Sequence, residues 1–208
     1  MTESALHSEA SRARIEAAVS AAEARTSAEI RVAVTSAPLV AHSYHAALWA
    51  ALIALAAPWP LLLLRHPHPA WLLAVQGALF IVLCLAFALP PVRRRLIPRA
   101  EARLAASGLA RSVFLAHGLH QTTGRTGLLI LVAPGERLVE VVADEGIHAR
   151  LGTQAWQRIC AAVSERAGQG DLVSGIEAAV ALAGELLAGP FPRSADDRNE
   201  INDRVVLL

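Results

Sequence analysis

Apolar residues are spread unevenly along the chain, and their spacing changes three times. From Ser11 to Arg25 an Ala-rich stretch sets Ile15, Ala18, Val19 and Ala22 on one side at helical spacing, which predicts an amphipathic helix. "AEIRVAVT" then alternates, with Ile30, Val32 and Val34 on one side, the period of a strand. No Asp, Glu, Lys or Arg lies between Arg31 and Arg65, or between Arg65 and Arg93. "RAEARLAASGLARSVFLAHGL" resumes a helical pattern, weakened by Gly108. "LLILVA", Leu128 to Ala133, is apolar throughout and fits a central buried strand. "PGER" is a turn with Glu136 and Arg137 at its tip, and "LVEVVA", Leu138 to Ala143, is the returning strand of a hairpin. Two helices follow. One carries Trp156, Ile159, Cys160 and Val163. The other is capped by Asp171, carries Leu172, Ile176, Ala179, Ala183 and Leu186, and stops at Gly189 and Pro190. The polar-then-apolar tail "RSADDRNEINDRVVLL" docks back on the domain or joins a protein contact through "VVLL".

The charge-free window has the dimensions of a membrane hairpin. Ala46 to Leu64 and Ala70 to Val92 reach roughly 28 and 34 Å as helices, against a bilayer core of about 30 Å. Tyr44, Trp49, Trp59 and Trp71 lie toward the ends, where aromatic rings favour the headgroup region. "RHPHP" is then the turn between two spans, because Pro67 and Pro69 bar helix continuation. His66 and His68 have no third metal ligand nearby, so a metal site there is the poorer reading. Gln76, within the second span beside Ala74 and Ala78, suits packing against the first span or, less well, a homo-oligomer contact. Arg93, Arg94, Arg95, Arg99 and Arg103 follow the second span, whereas the turn holds only Arg65, which predicts a cytoplasmic basic flank. The expected organisation is one discontinuous domain, residues 1–42 and 93–208, on the cytoplasmic side of a bacterial inner membrane. Residues 43–92 interrupt it with two transmembrane helices, about 44–64 and 70–92.

Composition agrees with that division. The chain is 54% hydrophobic and 18% charged, whereas soluble domains carry about a quarter charged residues. A net charge of +1 gives no electrostatic basis for a nucleic-acid partner. Cys84 and Cys160, one in an apolar run and one in a helix, do not suit a disulfide. The N-terminal stretch carries acids and lacks the apolar segment of a signal peptide. The order helix, strand, membrane hairpin, helix, strand, strand, helix, helix favours a parallel pair plus one antiparallel strand, with helices on both faces. That is a three-layer α/β domain.

Candidate chemistry gathers in few places. Asp144 and Glu145 follow a strand beside Gly146, as a turn or as oxygen ligands to Ca²⁺ or Mg²⁺, with Glu29 a distant third. Arg125 in "GRTG" is a solvated turn residue or a phosphate-holding group. His117 and His120, three apart on a helix with His148 further on, share one face as a transition-metal pair or, more often, as partly buried helix residues. There is no nucleophile elbow, Walker loop, dinucleotide-binding glycine motif or C-x-x-C.

"IEAAVSAAEARTSAEIRVAV", "TTGRTGLLILVAPGERLVEVVADEGI" and the "AW" of the next helix together resemble the TPM-domain family. The closing "RNEINDR" is similar to the segment that ends bacterial membrane-anchored members with a two-span insertion. The resemblance implies a Rossmann-like α/β/α sandwich, and either a divalent-metal-dependent phosphatase or an accessory protein of membrane complexes. By position it carries the family's metal and catalytic role to Asp144, whereas the acids expected after the first strand are absent from "TSAPLVAHSYH". Two functions therefore stand. One is a non-enzymatic accessory, assembly or binding module that meets the lipid bilayer and a membrane or envelope protein. The other is a phosphatase using Asp144, Glu145 and Arg125.

Overall fold

A computed structural model describes residues 8–40, 42–58, 60, 68–89, 92, 97–194, 196 and 199–208. The chain divides into two compact units, Met1–Ala37 with Arg103–Leu208, and Pro38–Ala102.

The first unit begins with α1 (Glu9–Glu23), whose N-terminus is capped by the Ser8 side chain accepting from Ser11 N–H. Ile15, Val19 and Ala22 recur on one face of α1 and are buried. β1 (Glu29–Val34) runs parallel to β2 (Gly127–Ala133), in register from Glu29–Gly127 to Val34–Val132. β2 returns antiparallel as β3 (Leu138–Ala143) through the expected "PGER" turn, where Arg137 adopts a left-handed backbone with φ 57°. β2 is buried at every position and β3 is half-buried throughout, as befits a central and an edge strand. The sheet order is β3-β2-β1-β4.

β4 is only Val206–Leu207, parallel to β1 at Ala33 and Val34. Leu208 N–H donates to the Val34 carbonyl, and Ser36 N–H to the Leu208 carbonyl. The apolar tail is therefore engaged by its own sheet, with Val206 packed into the core.

Strand alternation sends the two faces of the sheet to different helices. Ile30, Val32, Val34, Leu128, Ile130 and Val132 meet Ile15 and Val19 of α1. They also meet Ile159 and Val163 of a later helix, α6 (Thr153–Gly168), and Ile176 and Val180 of the last one, α7 (Leu172–Ala188). Asp171 caps α7, its Oδ1 accepting from Ser174 N–H at 3.0 Å. On the other face Ala33, Leu129 and Leu131 meet Ala110, Val113 and Phe114 of α4 (Arg99–Ala116), with Leu119 beside them. Helices on both faces of a mixed sheet give three layers. Each fully buried Leu, Ile or Val stabilises the fold by about 1.5–3 kcal/mol.

The second unit holds α2 (His42–Ala56) and α3 (Pro69–Phe87), which pack on one another. α3 has 19 residues, a mean hydropathy of 2.4 and none of its residues buried. Among the described residues it alone is long and apolar enough to cross a membrane. α2 is shorter than the span expected to Leu64: its helix stops at Ala56, just before Pro58. His68 caps α3, its Nδ1 accepting from Ala70 N–H at 3.3 Å, a local role that needs no metal. Trp59, Arg65, His66, Pro67, Arg93, Arg94 and Arg95 lie outside the described residues.

Candidate functional site

Three loops converge at the end of the sheet where β1 and β2 begin and β3 finishes. Asp144 leaves β3 by donating its N–H to the Gly127 carbonyl at 2.9 Å. It then caps the short helix α5 (Glu145–His148), with its Oδ1 accepting from Glu145 N–H at 2.7 Å. The same oxygen faces Arg125 Nη1 at 3.8 Å. Asp144 is only 7% exposed, and its Oδ2 is buried with no hydrogen-bond partner. The Arg125 side chain is 61% exposed, and its backbone is left-handed, φ 52°. That turn is tied by Arg125 N–H to the Thr122 carbonyl and by Thr126 N–H to Thr122 Oγ1. A Cβ at Gly146 would lie 2.9 Å from the Gly124 carbonyl oxygen, so only glycine lets α5 approach the turn this closely.

Arg125 and Asp144, singled out from the sequence, are thus neighbours, while Glu145 and His148 are exposed beside them. The described residues gather no group of three or more His, Cys, Asp or Glu able to hold a metal. A hard cation takes six to eight oxygens, and the Arg125 guanidinium opposes another positive charge at Asp144. The described residues therefore do not fit a resident divalent ion at this turn. His117 and His120 do not share a helix face: α4 ends at Ala116, Gly118 turns the chain, and His120 sits in a separate 3₁₀ turn, Leu119–Gln121. Burial lowers the pKa of His117, and the charge of Arg31 lowers it further. Burial pushes the Cys160 thiol up to about 11, so it stays protonated and is no nucleophile.

On the other side of β2 stands a second group of acids. Glu29, opposite Gly127 in the ladder, is 6% exposed. Its Oε1 accepts from Glu200 N–H at 3.1 Å and its Oε2 from Ile201 N–H at 3.2 Å. Glu200 in turn accepts from Thr123, through the backbone N–H at 3.0 Å and the hydroxyl at 2.5 Å. The turn carrying Arg125 is therefore fastened to Asp144 at one end and to the C-terminal segment at the other. That segment, residues 199–208, lies beside β1 as a strap. Glu16 Oε1 accepts from Val205 N–H at 3.2 Å further along it.

Glu23, the last residue of α1, completes this group. Its Oε1 accepts from Ile30 N–H at 2.7 Å, and its Oε2 is buried without a donor. Burial pushes its carboxyl up to about 8, opposed by the Ile30 N–H and reinforced by the nearby charges of Glu29 and Asp203. Burial lowers the pKa of Arg31, while Asp203 and Glu23 act to raise it. A cavity of about 70 Å³ is lined by Ser20, Glu23, Thr26, Glu29, Arg193 and Asn199, with Ala28 at its wall. Sequence reasoning reached Glu29 and the "RNEINDR" segment but missed Glu23, Arg31 and Asp203. The available signal was an Arg and a Glu inside an otherwise apolar strand, which require polar company when buried.

The TPM domain matches residues 98–186, a stretch that includes Arg125, Asp144 and Glu145 but not Glu23, Glu29 or the strap. Among curated proteins, no relative matches the chain. The NMR structure of the BA42 protein from the psychrophilic bacterium Bizionia argentinensis is similar in fold. Its TM-score is 0.62 at 18% identity, covering 97% of this chain and 94% of that one. At that identity the likeness concerns the fold alone.

Proposed function

We propose that the protein is a membrane-tethered TPM domain acting as a non-enzymatic accessory or binding module at a bacterial inner membrane. The observation that carries this reading is α3, 19 uncharged and unburied residues on a chain whose other unit folds as an α/β domain. Leaving such a surface in water would forfeit the burial of its apolar side chains, whereas a bilayer accepts them. The shorter apolar α2, which packs on α3, is the natural first half of a two-span hairpin. The Arg cluster after the second span sets the α/β domain on the cytoplasmic side. The end of the sheet offers an exposed Arg and a turn held rigidly between two loops, features suited to recognising a partner rather than to turning over a substrate.

The test is membrane extraction with photo-crosslinking of the full chain in cells. A chain resistant to alkaline extraction, released when Val82 and Leu85 are both changed to Lys, supports tethering. A recurrent membrane-protein adduct from a crosslinker at position 125 supports the binding role. A chain that washes off the membrane, or one that crosslinks to nothing, overturns the respective half. A phosphatase remains the second reading because Asp144, which faces Arg125 through Oδ1, keeps a buried Oδ2 with no hydrogen-bond partner. Turnover of a phosphomonoester that is lost in Asp144→Asn, measured with and without added Ca²⁺ or Mg²⁺, would establish it instead.

A further inference from the structure

Three N–H groups of the strap are held by carboxylates of the domain it covers, while its end is tied by backbone hydrogen bonds to Val34 and Ser36. Glu29 receives the N–H groups of Glu200 and Ile201, and Glu16 receives that of Val205. The strand that follows is only two residues long, so ladder hydrogen bonds add little. Between these points Asp203 lies within hydrogen-bond reach of Glu23. Two ionised carboxylates present four acceptor oxygens and no donor between them. Glu23 Oε1 already accepts from Ile30 N–H, and Asp203 Oδ1 accepts from Asn199 Nδ2 at 2.6 Å. The remaining Glu23 oxygen is buried and has no donor. One proton on Glu23, donated to Asp203, satisfies both groups at once.

We propose that this shared proton is the fastening of a pH-sensitive latch, and that its loss lets the strap and β4 lift from the open edge of β1. The proposal is independent of the membrane reading. The charged groups facing Glu23 are Glu29 and Arg31 from β1 and Asp203 from the strap. Arg193, from the segment after α7, lines the same cavity. Once Glu23 ionises, three carboxylates crowd a partly buried space, and the strap is joined to the sheet through only a two-residue strand. Lifting it would bare the N–H and C=O groups at the end of β1, an edge able to accept another strand.

Amide hydrogen exchange on the full chain in mild detergent reads the latch directly, with each rate divided by its intrinsic rate at that pH. Protection at Glu200, Ile201, Val205 and Leu208 is expected to fall at least about tenfold between about pH 6 and about pH 8. Ile130, in the centre of β2, keeps its protection. In Glu23→Gln the side-chain oxygen still accepts from Ile30 and the amide nitrogen donates to Asp203, so strap protection is expected to stay level across the range. Level protection in the unaltered chain overturns the latch. So does an equal pH dependence in Glu23→Gln, or a loss shared by Ile130.

Discussion

A Cβ placed on Gly146 falls 2.5 Å from the carbonyl oxygen of Arg125. The obstacle is backbone, and the turn it belongs to is held by Thr122 on one side and by Glu200 through Thr123 on the other. Neither neighbour yields cheaply. Gly146→Ala is therefore expected to destabilise the domain by about 1–3 kcal/mol, the range for overpacking a tight site. Gly135, at the tip of the β2–β3 hairpin, has open space at the same position and serves as the control. Denaturant titration of the two Ala variants should separate them clearly, and equal midpoints would show that the turn is soft.

The left-handed backbone of Arg125 carries a cost of its own. For a residue with a Cβ, that conformation costs roughly 1–2 kcal/mol, part of which glycine returns through its freer unfolded chain. The ion pair to Asp144 offsets little, because the guanidinium is largely exposed. Arg125→Gly and Arg125→Ala both remove the charge, but only the first relieves the backbone. The Gly variant is expected to be the more stable of the two, by up to about 1 kcal/mol. If both melt together, the turn has relaxed and the conformation is not strained.

Those two positions show how far the sequence alone reaches. Alternation at Ile30, Val32 and Val34, the unbroken apolar run of β2, the "PGER" hairpin and the Asp171 cap are local signals, and the structure carries each of them. Arg125 stood out in "GRTG" before a buried strand, and Asp144 as the first of two adjacent acids just past a strand. Glu23 gave no such signal. An acid in the last turn of an amphipathic helix reads as solvated, whereas here residues distant in sequence, Arg193, Asn199 and Asp203 among them, gather round it. β4 is invisible for the same reason, since two residues show no periodicity. The His117–His120 spacing misled because the helix stops at Ala116, and residues three apart across a turn no longer share a face.

Glu29 fastens the strap with both carboxylate oxygens while almost wholly buried. In Glu29→Gln one oxygen becomes an NH₂ group, which faces a backbone N–H and cannot accept from it. One half-buried N–H group loses its acceptor on residue 29, and because Ile201 N–H also reaches Asn199 Oδ1 at 3.1 Å the cost is about 1 kcal/mol. The loss should concentrate on the strap: exchange at Glu200 and Ile201 is expected to quicken, with Ile130 in the core unaffected. Unchanged protection at these two amides would mean that the strap is held by other contacts.

Glu23 also sets the pH dependence of global stability. Its carboxyl titrates at about 8 when folded, against an ordinary 4.5. Between those values the folded chain holds a proton that the unfolded chain releases. The contribution is therefore complete below about pH 4.5, declines as pH rises through the window, and is gone above about pH 8. Glu140, raised by burial against the opposing charges of Arg111 and Arg103 and a hydrogen bond to Ser107, acts in the same direction. Asp171 acts oppositely: its pKa is lowered by the Ser174 hydroxyl and then by the Ser174 N–H, so its contribution is lost only under acid, below this window. The unfolding midpoint of the full chain is expected to fall by several degrees from about pH 5 to about pH 8. Glu23→Gln should remove most of that slope and leave the smaller one due to Glu140. A flat profile in the unaltered chain would place the Glu23 carboxyl near its ordinary value. Its buried oxygen would then need a donor other than its own proton.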